Sequence, residues 1–434
     1  MIRMVDLIER KKRGIVLTDG EIRGMIQAYT DGQIPDYQMS AMLMAVWIRG
    51  MNDDEITSLT LAMAESGDQL DLTSVPGTKV DKHSTGGVGD KTTLVVLPVL
   101  AALGVPVAKM SGRGLGFTGG TVDKLESIPG VRSELTEEEF LRVLRDVGFV
   151  DAAQTKELAP ADKMLYALRD VTGTVDSIPL IASSVMSKKI AAGADRIVLD
   201  VKCGSGAFMT EPGTARELAE QMIRIGKLAG RTTVAVISDM NQPLGRMVGN
   251  AMEVEEALEV LSGGGEERLR ELCIRLAAEM LQLSDRCCKT GEEAAKEVER
   301  VLSDGSAKKK LYDFVEAVGG DSSFLDHPCI PAKYELKVYS KESGWLSACD
   351  TAGIGNAAAL LGAGRSRKED AIDPAAGIRI PVKLGDRVSP DLPIAVLYTN
   401  RQETLAAAEE LVRNAWSISQ EKPELRPVVL ETLR

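Results

Sequence analysis

The 434-residue chain carries 52 Lys and Arg against 64 Asp and Glu, a formal net charge of −12, so its surface as a whole repels polyanions. No basic run interleaved with aromatics offsets that repulsion, which argues against nucleic acid as a partner. A hydrophobic content of 44% supports a large core in two or three domains, and no stretch of about 18 apolar residues marks a membrane span.

In chain order, apolar spacing predicts helices at 4–12, 21–31, 36–49 and 53–65. Thr18 stands three residues before Glu21, and Asn52 precedes Asp53 and Asp54, as capping and dipole arguments favour at helix starts. From Thr78 the texture changes. Strands at 79–80, 105–110, 196–202 and 232–239 alternate with helices at 92–103, 137–147 and 214–228, which predicts a mostly parallel sheet with ligands beyond the carboxyl ends of its strands.

A helix at 179–192, headed by Ser177 as N-cap with Pro179 in its first turn, interrupts the alternation and is expected to pack back on the N-terminal helices. The two chain crossings this implies are hinge candidates. Past Pro331 come a strand at 333–339, a helix at 353–361 and β-rich segments at 377–383 and 394–398. Residues 381–386 resemble the turn of a lipoyl-like hammerhead without its modifiable lysine motif, so a structural role is expected. The fold class expected is α/β: a small helical domain (1–68, joined by about 160–192), a large mostly parallel-sheet α/β phosphate-binding domain (69–159 and 193–330), and a C-terminal α+β segment (331–434).

Two glycine-dense loops fall where ligands of such sheets bind: Lys82-His83-Ser84-Thr85-Gly86-Gly87-Val88-Gly89-Asp90 and Ser111-Gly112-Arg113-Gly114-Leu115-Gly116-Phe117-Thr118-Gly119-Gly120-Thr121. Glycines let backbone approach a ligand, hydroxyls and amides donate to it, and a lysine adds charge near helix N-termini. Phosphate is the first ligand to consider. Asp90 stands where a nucleotide-triphosphate P-loop needs glycine before Lys91, which disfavours that chemistry. Gly204-Ser205-Gly206 is only a weak dinucleotide signal.

Taken with Leu168-Arg169-Asp170-Val171-Thr172, Ser183-Ser184-Val185-Met186-Ser187-Lys188-Lys189 and Asp36-Tyr37-Gln38-Met39-Ser40-Ala41, the two loops resemble the thymidine and pyrimidine-nucleoside phosphorylases over essentially the whole chain. The resemblance implies reversible phosphorolysis of pyrimidine nucleosides, with inversion, to free base and α-pentose 1-phosphate. It implies a phosphate site of Lys82, Ser84, Thr93, Lys109, Ser111 and Thr121, and a base site of His83, Leu115, Arg169, Val175, Ile181, Ser184, Lys188 and Phe208. Catalytic roles then fall to His83, Lys82, Arg169 and Lys188. Ser184 and Lys188, four apart, share a helix face. His83 either protonates the departing base or only donates a hydrogen bond to it; His327 is expected to be structural.

Three positions depart from, or divide, the family. Phe117 replaces a usual histidine, and activity is expected to survive. Lys91 stands where some relatives use threonine to help bind K⁺, whose site would comprise Gly89, Leu244, Met247 and Glu256; an ammonium there would make added K⁺ unnecessary, so no metal is expected. Lys109 resembles the pyrimidine-nucleoside branch, which suggests uridine, deoxyuridine and thymidine as substrates rather than thymidine alone. No cofactor is expected beyond phosphate as co-substrate, and the resemblance implies a homodimer through the N-terminal helices. Other readings are an anthranilate-type phosphoribosyltransferase, which lacks a convincing acidic pair for Mg²⁺, and a non-catalytic nucleoside sensor. Six cysteines (Cys203, Cys273, Cys287, Cys288, Cys329 and Cys349) without a CxxC pair, and an N-terminus without an apolar leader, suggest a cytoplasmic protein with free thiols.

Overall fold

The computed structural model describes residues 3–114, 116–155, 157–286, 290–365 and 370–434. Four helices open the chain: α1 (Met4–Lys12), α2 (Asp19–Thr30), α3 (Asp36–Arg49) and α4 (Asp53–Ala64). Capping boxes start α2 (Thr18 with Glu21) and α4 (Asn52 with Glu55), so two orphan donors at each end are satisfied reciprocally. Glu55 does more than cap. Fully buried, it accepts from Lys11 Nζ at 2.7 and 2.8 Å and from the Leu17 amide at 2.8 Å, tying α1 and the α1–α2 turn to α4.

The α/β region follows with β1 (Val80–Ser84), α5 (Thr92–Ala102), β2 (Val107–Ser111), α6 (Thr121–Glu126), α7 (Glu137–Val147) and β3 (Phe149–Ala153). Next come α8 (Pro160–Thr172), α9 (Ile178–Ala191), β4 (Arg196–Cys203), α10 (Pro212–Leu228), β5 (Thr232–Asp239), β6 (Met247–Gly249) and helices α11 (Asn250–Leu261), α12 (Glu267–Leu283), α13 (Gly291–Ser303) and α14 (Ser306–Ala317). β1, β4 and β5 pair in parallel, as do β2 and β3. Helix α5, buried from Thr92 to Ala101, belongs to the large cluster that also takes in α12 and α14.

The first strand is longer than expected. Register with β4 runs from Val80↔Arg196 to Ser84↔Asp200, so Lys82, His83 and Ser84 belong to a strand and the loop begins only at Thr85. Cross-strand pairing, invisible to local composition, extends the ladder there. The helix read at 179–192 is α9; Ser177 occupies its N-cap position without a side-chain capping bond. Leu180 of α9 with Ala161 and Leu165 of α8 joins the N-terminal helical core, while Ile56 of α4 packs with Ala182 and Met186 of α9 and with α10. The chain thus leaves the strands after Ala153, passes through α8 and α9 beside the N-terminal helices, and returns at Arg196.

The C-terminal region contains β7 (Tyr334–Tyr339), β8 (Gly344–Cys349), α15 (Thr351–Ala358), β9 (Gly377–Arg379), β10 (Arg387–Val388), β11 (Pro393–Thr399), α16 (Leu405–Asn414), β12 (Trp416–Ser419) and β13 (Val429–Leu433). Two small antiparallel sheets, β6-β9-β11-β7 and β10-β8-β12, surround one apolar cluster. It is not self-contained: β6 of the α/β region pairs with β9, and β13 returns to lie antiparallel beside β5. The hammerhead-like turn at 381–386 lies between β9 and β10, and its Lys383 ammonium is buried, donating to the carbonyls of Pro243 (2.7 Å) and Gly245. No helix among the described residues is long and apolar enough to cross a membrane. Among those residues Cys203, Cys273, Cys329 and Cys349 are free thiols; Cys287 and Cys288 lie outside them.

Candidate active site

A cavity of about 620 Å³ opens between the carboxyl ends of β1 and β2 and the helices α8 and α9. Both glycine loops form its sheet-side wall, with Ser84, Thr93, Lys109, Ser111 and Thr121 on its lining. The helical side supplies Ala159, Asp162, Tyr166 and Lys188; His83 and Phe208 stand between the two sides. Glycine is sterically required in the second loop: a Cβ at Gly120 would sit 2.1 Å from the Gly114 nitrogen. At Gly89 a φ of 72° adds conformational cost, and a Cβ would approach the Leu244 carbonyl to 2.6 Å.

Beneath the sheet-side wall lies a buried charge network. Asp90 accepts from the Ser84 hydroxyl, from Thr92 Oγ1 at 2.6 Å and from the Thr92 amide at 3.2 Å. Burial pushes its pKa up, but Lys202 and Lys82 and these hydroxyls outweigh that and hold the carboxyl well below the usual range. Asp90 therefore excludes a P-loop and serves the loop as a fixed anionic anchor. Lys82 is fully buried; its ammonium donates to Thr92 Oγ1 and lies 3.6 Å from Asp200. The structure does not bring Lys82 to the cavity lining. Its ammonium lies instead on Thr92 and Asp200, beside the first loop.

Lys109 reaches the cavity and donates to the Lys82 carbonyl at 2.6 Å. Burial, with the like charge of Lys189, lowers its pKa to about 8. Beside it in register on β3 is Asp151, whose burial raises its carboxyl to about 6. His83 is surrounded by cations: burial first, then Lys189, Lys109, Lys188 and Lys82, keep its pKa well below 6.5. Its surroundings thus favour the neutral imidazole over the cation.

On the helical side, Lys188 Nζ donates to Ser184 Oγ at 2.9 Å, as the shared helix face predicts, and to Asp162 Oδ2 at 2.6 Å. Arg169 is turned away from the cavity: its guanidinium donates to the carbonyls of Thr174 (3.2 Å), Leu180 (3.1 Å) and Val175 (2.6 Å), closing the α8–α9 connection. Burial lowers its pKa. Val175, Ile181 and Ser184 flank this connection and helix but do not line the cavity, and Leu115 lies outside the described residues. Asp162 was missed by the sequence reading, since nothing in spacing links it to a lysine 26 positions away. Its one local signal is an acidic side chain in the first turn after Pro160.

Two other positions acquire definite surroundings. Lys91 is buried with its ammonium on the carbonyls of Leu244 (2.9 Å) and Met247 (2.8 Å) and on the Glu256 carboxylate, which also accepts from the Arg246 and Met247 amides. Phe117 packs on Phe208, ring centroids 5.9 Å apart, and is partly buried against the C-terminal cluster. The weak dinucleotide signal resolves into a contact between regions: Ser205 Oγ donates to the Cys349 carbonyl at 2.7 Å, and a Cβ on Gly206 would lie 2.3 Å from Thr351.

Comparison with known proteins accords with this architecture. Residues 5–67 match the helical bundle domain of a glycosyl transferase family, 76–308 that family's a/b domain, and 345–419 the pyrimidine nucleoside phosphorylase C-terminal domain. The pyrimidine-nucleoside phosphorylase of Geobacillus stearothermophilus is 52% identical over 415 residues, covering 95% of this chain and 96% of that one. The Bacillus subtilis (strain 168) pyrimidine-nucleoside phosphorylase is 53% identical over 419 residues, with the same coverage. Anthranilate phosphoribosyltransferase from Thermus thermophilus shares the fold at a TM-score of 0.58 and 21% identity, over 72% of this chain and 98% of that one. With matches at this identity running through the helical bundle, the glycine loops and the C-terminal region, the chain belongs to the pyrimidine-nucleoside phosphorylase family.

Proposed function

We propose that this protein catalyses reversible phosphorolysis of pyrimidine nucleosides: phosphate oxygen bonds to C1 of the pentose, the C1–N1 bond breaks, and the base leaves as α-pentose 1-phosphate forms. The observation that carries this reading is one cavity with an anion-suited wall of glycine loops, hydroxyls and Lys109 facing a helical wall that presents Lys188. Ser84, Thr93, Ser111 and Thr121 with Lys109 would orient phosphate, and the buried charge of Lys82 would favour the dianion from behind the loop. Lys188, joined by Ser184 when α8 and α9 close on the loops, would stabilise negative charge growing on the base carbonyls, with Arg169 holding the α8–α9 connection in shape. Neutral His83 is suited to donate a hydrogen bond to the base.

Lys109 near the pentose favours acceptance of ribosides as well as deoxyribosides, so uridine, deoxyuridine and thymidine are the substrates expected. The Lys91 ammonium fills the donor set that a K⁺ ion would need, so no added K⁺ is required. Exposed Tyr37, Met44 and Ile48 share one face of α3, which suits a homodimer contact through the helical region. A reducing cytoplasm accords with the free thiols.

The test is base release by purified protein from uridine, deoxyuridine and thymidine, with and without phosphate, in sodium and then potassium buffers. Phosphate-dependent release from all three, equal in both salts, is expected. Release from thymidine alone would restrict the substrate reading, and no release would defeat phosphorolysis.

A further inference from the structure

We infer that Asp162 is a positioning residue for leaving-group stabilisation, acting through Lys188; the inference rests on the phosphorolysis reading above. Asp162 lies on the first turn of α8, 5% exposed, with its carboxylate at the cavity wall. Lys188 comes from the neighbouring helix α9, and among the described residues no backbone carbonyl holds the tip of its long, flexible side chain. What fixes it is the pair of contacts at its tip, 2.6 Å to Asp162 Oδ2 and 2.9 Å to Ser184 Oγ.

An ammonium has three N–H donors. Two are engaged by Asp162 and Ser184, and the geometry of the remaining one is set by them, which leaves a single donor for the cavity. Ser184 alone could not do this, because it lies on the same helix as Lys188 and constrains the ammonium only along that helix axis. Asp162 supplies the second point, from another helix. Its charge also acts on Arg169, whose guanidinium loses stability on burial and regains part of it from Asp162. One carboxylate thus acts on both Lys188 and Arg169.

This role makes a prediction that a general structural role does not. If Asp162 aims the donor that receives charge from the departing base, its removal hurts most where the base is a poor leaving group. Uracil leaves less readily than 5-fluorouracil, whose fluorine withdraws charge and reduces the need for a donor. The experiment measures kcat and KM for uridine, 5-fluorouridine and phosphate in the parent protein and in Asp162→Asn, Asp162→Ala and Asp162→Glu. Misplacing a catalytic donor costs roughly 10- to 100-fold, so Asp162→Ala should lose about that factor in kcat with uridine and clearly less with 5-fluorouridine. KM for phosphate should stay within about twofold of the parent, and Asp162→Glu should recover part of the loss. Stabilisation of each variant by phosphate alone, read as a thermal shift, shows that the sheet-side wall is intact. Equal losses with both nucleosides, a matching rise in phosphate KM, or no loss at all would overturn the inference. Absence of base release by the parent protein would instead defeat the phosphorolysis reading on which it stands.

Discussion

Replacing Lys91 by methionine keeps an unbranched side chain, one heavy atom shorter, but removes the charge at the centre of a closed cradle. In the parent protein the ammonium contacts two carbonyls and Glu256, and Glu256 in turn accepts from the amides of Arg246 and Met247. All of this is out of contact with water: Lys91 and Glu256 are each 1% exposed. Removing one partner of a buried pair costs about 3–5 kcal/mol, because the other is left as an uncompensated charge. The cost falls on the 243–249 segment that bridges to β9 and abuts Gly89 of the first loop. Hydrogen exchange in a peptide covering that segment should accelerate by about 10²- to 10⁴-fold as local opening becomes that much easier. Lys91→Thr leaves room for an ion, and K⁺ at ten times its dissociation constant would restore about 1.4 kcal/mol by mass action. The expected pattern is a parent indifferent to K⁺, a methionine variant loosened in either salt, and a threonine variant rescued by K⁺. Exchange and turnover unchanged in Lys91→Met, or a parent that turns over only with K⁺, would refute the reasoning.

Further expectations concern titration and assembly. His83 has its folded pKa below the usual value, so the stability linked to its neutral form is present above about pH 6.5 and lost as pH falls through the lower folded value. Turnover should show no His83 limb between pH 6.5 and 8, and His83→Gln, which keeps a donor, should retain most activity; a loss beyond about 10²-fold would instead indicate proton transfer. Lys109, with its pKa near 8, loses its charge as pH rises through that value. KM for phosphate should therefore climb above pH 8 in the parent and stay flat in Lys109→Met, as initial-rate kinetics across pH would read directly. Ile48→Glu puts a charge into the exposed apolar face of α3 and should convert a dimer to monomer in sedimentation analysis while leaving the fold intact; an unchanged mass would place the interface elsewhere.

Local signals carried most of the helical architecture. α3 and α7 begin and end at the predicted residues: α3 is bounded by Pro35 and Gly50, and α7 has a strong apolar stripe, a capping box at Thr136 and a left-handed Gly148 at its end. β5 was equally clear, a run of β-branched residues buried almost throughout. What escaped depended on pairing across the chain. β3 has five residues and follows α7 after a single glycine, so only its register with β2 distinguishes it from a turn. β13 reads as an ordinary tail until it meets β5.

The candidate site divides in the same way. Glycines and hydroxyls in the two loops were legible because their chemistry is local, and Ser184 with Lys188 followed from helix periodicity. Lys82 and Arg169 were legible as residues but not as positions: one is buried under its loop on Asp200 and Thr92, the other is held by three backbone carbonyls. Asp162 and Asp90 became meaningful only with their partners in place. A carboxylate at the end of a glycine loop can be solvent-facing or an anchor, and burial decides which.

The central claim is transfer of the pentose to phosphate, and ³¹P NMR of uridine incubated with the protein and inorganic phosphate follows that bond itself. The expected result is loss of the phosphate signal with growth of one pentose 1-phosphate resonance of α configuration, in step with uracil release. Uracil released without a new phosphate ester, or release in phosphate-free buffer, would mean hydrolysis and would contradict the account.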